Sequence, residues 1–407
     1  MLLKFSTYGF LKNLRFFEPF LYLFFLENGL SFFQIGLLIS IKEISVNLLE
    51  IPTGAIADLK GRRKAMIFSF SSYLFSFAIF YLFSDFFLFI PAMFLFAAGE
   101  SFRSGTHKAM IMEYLDITDR SSEQVNYYGK TRSASRLGSA LSAILAALIV
   151  YFRGNYNVVF LASLVPYSMD LLLMTTYPKE LDGKIKEGGF SLKEIYEQLK
   201  DSFISLSRTP QLGKVLVNAS VYDSIFKIGK DYLQPIIKIQ ATALPVLLFL
   251  KDGQARTSIL IGVVYFFVYL NSFISSRYSS GLMEKVGDIP RAVNLLLWIN
   301  LGFMVVAGFW LRADLVIPVI LSFFVFYSLY NLRKPMVVGF LGQRIEGKRR
   351  STLLSIHSQL RSLVGIVIAP LFGFLADSFG VFSVLLAGGF LLLMVGLFLR
   401  IGGENKV

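Results

Sequence analysis

Cysteine is absent from this chain, histidine occurs twice, and only 16% of the residues are charged. Without a thiol there is no disulfide, no thiolate metal site and no cysteine nucleophile. The two histidines, His107 and His357, leave little for a histidine metal centre, so neither a metal nor a cofactor is expected. A phosphate loop is also missing. "GKT" at 129–131 invites that reading, but the first glycine would have to stand at 124, where the residue is Gln124. There is no H-E-x-x-H and no dinucleotide fingerprint, and the chain is not expected to be an enzyme.

The shortage of charge accompanies 55% hydrophobic and 15% aromatic residues, whereas a soluble domain has roughly a quarter of its residues charged. A spanning helix needs about 20 mostly apolar residues, and such stretches recur along the whole chain. Lys12, Arg15 and Glu18 interrupt the opening apolar run and no small-residue cleavage site follows, so it reads as a first span and not as a signal peptide. Apolar windows and polar breaks place spans near 5–27, 32–56, 65–87, 88–115, 129–152, 156–177, 212–240, 255–283, 290–311, 313–342, 351–377 and 381–400. The expected fold is all-α integral membrane, with twelve transmembrane helices in two six-helix pseudo-repeats.

The formal charge of +13 would suggest nucleic acid in a soluble protein. Here basic clusters such as Lys60, Arg62, Arg63 and Lys64, or Lys348, Arg349 and Arg350, follow every second span. The positive-inside rule then places both termini in the cytoplasm of an inner or plasma membrane protein. The expected partners are the lipid bilayer and a small-molecule solute, with no nucleic acid and a monomeric state.

Residues 1–178 read as an N-terminal six-helix bundle, 179–211 as a cytoplasmic linker with an amphipathic helix, and 212–407 as a C-terminal six-helix bundle. An internal repeat supports the division. One register shift carries Ile35-Gly36 onto Ile261-Gly262, Asp58 onto Glu284, Gly61 onto Gly287, His107-Lys108 onto Arg333-Lys334 and Met110 onto Met336. One residue less carries Arg136 onto Arg361, and Glu18-Pro19 matches Gln234-Pro235 at a shorter offset.

After the second span comes "EIPTGAIADLKGRRKAM". Gly54, Asp58, Gly61, Arg62 and Arg63 match the loop G-x-x-x-D-x-x-G-R-[KR]-x-[KR], while Ala65 departs from its last basic position. In this motif the sequence resembles the major facilitator superfamily. The resemblance implies gradient-driven transport by alternating access, with this loop and its weak copy at Glu284 and Gly287 closing the cytoplasmic side. It also implies that the first, fourth, seventh and tenth helices line a central cavity and that the third, sixth, ninth and twelfth face lipid.

A charge at the centre of a span costs about 2.5–3.5 kcal/mol on insertion scales, so the charges in the lining helices should face protein or water. Basic residues exceed acidic ones there. The substrate-binding candidates are Arg15, Arg103, His107, Arg136, Lys230, Arg333, Arg361 and Tyr330, which suit an anionic solute because a guanidinium fork matches carboxylate and phosphate. Glu100, Arg103 and His107 share one stripe at helical spacing. Glu100, Glu18 and Glu43 are the proton-coupling candidates. Two other readings stay open: a proton-driven multidrug antiporter, which the fifth span "SRLGSALSAILAALIV" does not favour, and a non-transporting receptor or lipid-handling protein. In a structural network each base would instead neutralise a carboxylate.

Overall fold

The computed structural model describes residues 1–183, 210–243, 252–343 and 349–402. Helices account for almost all of them, and no strand occurs among the described residues. In the first half the helices are α1 (Leu2–Lys12), α2 (Leu21–Glu27), α3 (Phe32–Lys60), α4 (Arg62–Leu82), α5 (Phe86–Arg103), α6 (Thr106–Ile117), α7 (Gln124–Arg153) and α8 (Val158–Thr175). The second half contributes α9 (Pro210–Gly229), α10 (Leu233–Ala243), α11 (Gly253–Arg277), α12 (Ser279–Val286), α13 (Ile289–Arg312), α14 (Val316–Gln343), α15 (Arg349–Phe379) and α16 (Phe382–Phe398).

Nine segments among the described residues are long and apolar enough to cross a membrane. Of the twelve expected spans, the first and seventh are each interrupted by a 3-10 turn, and the last, α16, is shorter at 17 residues. The two interruptions fall in the same span of each half, offset by about one helical turn from the register that aligns Pro19 with Pro235. In the first span the turn is Glu18–Phe20 with Pro19 near its start, and in the seventh it is Lys230–Tyr232, with Pro235 soon after. Proline lacks a backbone donor, so a helix is readily broken just before it.

The chain forms two compact units. The first comprises Met1–Leu30, Ile41–Ser191 and Pro245–Tyr269, and the second Ser31–Ser40, Leu192–Leu244 and Leu270–Val407. The start of α3 therefore belongs to the second unit and the start of α11 to the first. The expected linker helix in 179–211 lies outside the described residues, apart from a 3-10 turn at Lys179–Asp182.

Aromatic rings fill the first unit. Phe80 stands 4.9 Å from Phe160 and 5.3 Å from Phe89, and Phe77 lies 4.9 Å from Tyr167, in tilted, stacked and edge-on arrangements. Lipid is as apolar as these side chains, so dispersion and close approach hold the helices together more than the hydrophobic effect does. Ser69 and Ser76 of α4 donate to the carbonyls of Gly99 and Ala92 in α5, at 2.6 and 2.8 Å. In the second unit the core is mainly aliphatic, built on residues such as Val215, Leu216, Leu296, Val337 and Leu341.

Candidate functional site

In the first unit α1 stops at Lys12, and the side-chain amide of Asn13 donates back to the Gly9 carbonyl at 2.6 Å. Arg15 projects from the open backbone that follows. Its guanidinium reaches Glu18 at 3.8 Å and Glu100 of α5 at 3.9 Å. Arg103 also meets Glu100 at 3.9 Å and donates from Nε to the Tyr73 hydroxyl at 3.3 Å. Two guanidiniums thus face two carboxylates in a half-buried, formally neutral cluster. Arg15 and Arg103 each lie within ion-pair distance of a carboxylate.

The stripe of Glu100, Arg103 and His107 does not continue as one helix. Ser104 is extended and Gly105 has φ +76°, a conformation glycine adopts without penalty, and α6 starts afresh at Thr106. His107 consequently turns away from Glu100. It stacks on Tyr8 with ring centroids 3.6 Å apart, and its Nε2 lies 3.2 Å from the Tyr177 hydroxyl.

Beside it opens a cavity of about 380 Å³ between α1, α6 and α7. Lys12, His107, Lys108, Arg132 and Arg136 line it, with Tyr8 and Tyr128. A second hollow of about 630 Å³ shares Lys108, Tyr128, Arg132 and Arg136. Among the described residues no carboxylate lines either one. Close approach of α1 to α7 shapes the first cavity: a Cβ on Gly138 would stand 2.4 Å from the Phe10 carbonyl oxygen, so only glycine fits. Lys108 and Arg132 lie 5.5 and 5.4 Å from the Tyr128 ring centroid, within cation–π range.

Of these residues, His107 and Arg136 are candidates from the sequence, whereas Arg132 and Tyr128 are not. Their signal was available, since Tyr128, Arg132 and Arg136 recur every fourth residue on α7. Asp170 lies in the sixth span, one of those expected to face lipid. It is instead fully buried, with neither carboxylate oxygen hydrogen-bonded. The side of α8 that carries it faces protein.

In the second unit Lys230 pairs with its neighbour Asp231 at 2.7 Å. Arg333 is buried at 1% exposure; it hydrogen-bonds the Asn218 side chain and the Val293 carbonyl, with its guanidinium 4.0 Å from the Tyr222 ring. Tyr330 stacks on Phe226 at 3.9 Å and accepts from Lys334 at 3.1 Å. Arg361 donates to Ser358 at 3.2 Å, and His357 lies 3.7 Å from Asp223. Glu43, in the first unit, is buried and lies 3.1 Å from its neighbour Lys42.

The signature loop turns at Gly61, φ +96°, and Gly287 takes φ +73° at the equivalent repeat position. Both precede a long helix, α4 and α13. Arg62 pairs with Glu113 of α6 at 3.0 Å. The Arg63 amide donates to Asp182 at 2.7 Å, and the Arg63 guanidinium donates to the Tyr177 carbonyl at 3.2 Å. Asp58 is half-buried and Gly54 exposed on α3. The partners Glu113 and Asp182 carry no motif of their own, and Asp182 falls in the range read as linker.

Comparison with known proteins agrees with this architecture. The family model described as Major Facilitator Superfamily matches residues 10–326. A curated relative, the uncharacterized MFS-type transporter YxaM of Bacillus subtilis (strain 168), is 22% identical over 370 residues, covering 89% of this chain and 86% of the relative. Among solved structures, the nucleoside transporter NupG is similar in fold with a TM-score of 0.78 at 12% identity, covering 98% of each chain. A D-xylose-proton symporter is similar with a TM-score of 0.66 at 14% identity, covering 100% of this chain and 98% of that one. With its spans, its repeated glycine turn and a family match over most of its length, the chain belongs to the major facilitator superfamily and is a multi-span membrane transporter.

Proposed function

We propose that this transporter moves a small anionic solute across the cell membrane by alternating access, driven by a proton or another ion, with both termini in the cytoplasm. The observation that carries this reading is the cavity between α1, α6 and α7, where Lys12, Lys108, Arg132 and Arg136 meet and no carboxylate lines the wall among the described residues. The contrast with the neighbouring cluster supports it. Arg15 and Arg103 face Glu18 and Glu100 and serve the bundle's own charge balance.

Glu100, between two guanidiniums at 3.9 Å each, is the carboxylate we assign to coupling, because a proton and two cations compete for the same oxygens. Arg333, enclosed by Asn218 and Tyr222, takes a structural role in this reading. The loops at Gly54, Asp58, Gly61, Arg62 and Arg63 and at Glu284 and Gly287 act as the cytoplasmic gate.

The test is counterflow in proteoliposomes with radiolabelled organic anions and, in parallel, neutral nucleosides and sugars. Accumulation of anions alone, reduced at least tenfold in Arg136→Gln, is the expected result. Flux of neutral solutes with no anion flux would sink the proposal.

A further inference from the structure

We infer that Lys108 and Arg132, both held against the Tyr128 ring, form a clamp for a doubly charged phosphate group, a phosphomonoester and not a monoanion. The inference rests on the anionic-solute reading above and sharpens its substrate class.

Three observations carry it. First, Lys108 and Arg132 line both adjoining cavities, and neither has a carboxylate within ion-pair distance among the described residues. Second, they are held in place without being neutralised. Lys108 stands 5.5 Å from the Tyr128 centroid and the Arg132 guanidinium 5.4 Å, with the Tyr128 hydroxyl 3.5 Å from Arg132. A tyrosine face orients a cation and leaves its full charge for a ligand. Third, the aliphatic hydroxyls of the wall donate back into their own helix. Thr131 donates to the Tyr128 carbonyl at 3.0 Å, Ser135 to Thr131 at 3.0 Å, Ser139 to Ser135 at 3.2 Å, and Asn13 to Gly9 at 2.6 Å. Four of the remaining donors, Lys12, Lys108, Arg132 and Arg136, are cationic, so the wall favours a ligand with negative charge and acceptor oxygens.

Two anchored cations match two negative charges. A phosphomonoester carries close to two at neutral pH and presents three acceptor oxygens, enough for the guanidinium fork of Arg132 and the ammonium of Lys108 together. A carboxylate or a phosphodiester carries one charge and leaves one cation unmatched. The same group is present in a soluble phosphomonoester and in the headgroup of phosphatidic acid.

The experiment is equilibrium binding to the full-length protein in nanodiscs of zwitterionic lipid, comparing methyl phosphate with dimethyl phosphate and acetate. A second set of nanodiscs contains phosphatidic acid. Methyl phosphate should bind at least tenfold more tightly than either monoanion, and Arg132→Gln and Lys108→Gln should each erase that preference. Both residues are solvent-exposed, so the variants should fold, which an unchanged melting temperature checks. If soluble methyl phosphate is silent but phosphatidic acid raises the melting temperature in an Arg132-dependent way, the clamp stands with lipid as its source. Equal binding of monoanions and dianion would overturn the inference and leave the anionic reading intact. A dianion preference that survives both substitutions would overturn the clamp. Binding of no anion in either membrane would sink both.

Discussion

Asp377, near the end of α15, accepts hydrogen bonds from the backbone amides of Phe32 and Phe33 at 2.9 and 2.8 Å. The side chain of one helix thus caps the start of another that lies 345 residues earlier. First-turn amides have no partner within their own helix, and a carboxylate there satisfies two of them and meets the positive end of the helix dipole. Asp377→Ala should lower stability by about 1–2 kcal/mol, whereas Asp377→Asn, which keeps an acceptor oxygen, should lose much less. Thermal unfolding of the detergent-purified protein ranks the three; an alanine variant as stable as the parent would refute the cap.

The same helix pair tests close packing. A Cβ on Gly373 would stand 2.2 Å from the Phe32 carbonyl oxygen, and one on Gly36 would stand 2.4 Å from that of Ala369. Ser40 meanwhile donates to the Ile366 carbonyl at 2.7 Å. Gly373→Ala and Gly36→Ala should each cost about 1–3 kcal/mol, the range for overpacking. Gly54, whose Cβ would meet nothing within 4 Å, is the control. Gly54→Ala should be neutral or slightly stabilising, since alanine is the better helix former.

Arg333 is expected to be a stability residue. Its guanidinium lies 4.0 Å from the Tyr222 ring while bonding to Asn218, a geometry that lysine cannot reproduce. Arg333→Lys should destabilise the protein by about 2–4 kcal/mol, from a lost charged hydrogen bond and a lost stack. Chemical unfolding measures the loss. A parental melting curve with altered anion binding would instead return Arg333 to the solute.

Asp182 should hold the signature loop. It accepts from the Arg63 amide at 2.7 Å, where α4 begins. Asp182→Ala should accelerate hydrogen exchange of the first-turn amides of α4 several-fold and leave the opposite end of that helix unchanged. Exchange unaltered across the turn would show that Arg62–Glu113, at 3.0 Å, suffices.

Much of the fold was legible without coordinates. A span expected over 290–311 is Ile289–Arg312, and one expected over 32–56 starts at Phe32 and runs to Lys60. Hydropathy places these because the bilayer sets a minimum apolar length and every spanning backbone must satisfy itself. The repeat was legible too, since Gly61 and Gly287 share a left-handed turn that glycine favours.

The site was legible in its residue types but not in its partners. Composition and spacing determined that this chain crosses a membrane many times, in two related halves, with more basic than acidic charge in the expected lining helices. A windowed average cannot see the break at Ser104–Gly105, which sends Glu100 and Arg103 into one cluster and His107 and Lys108 towards another. Nor can it tell Arg103, set against Glu100, from Arg132, set against a tyrosine ring. Those distinctions depend on which helices approach one another and at what rotation. Tertiary packing alone decides that, because the electrostatic meaning of a charge lies in its neighbours.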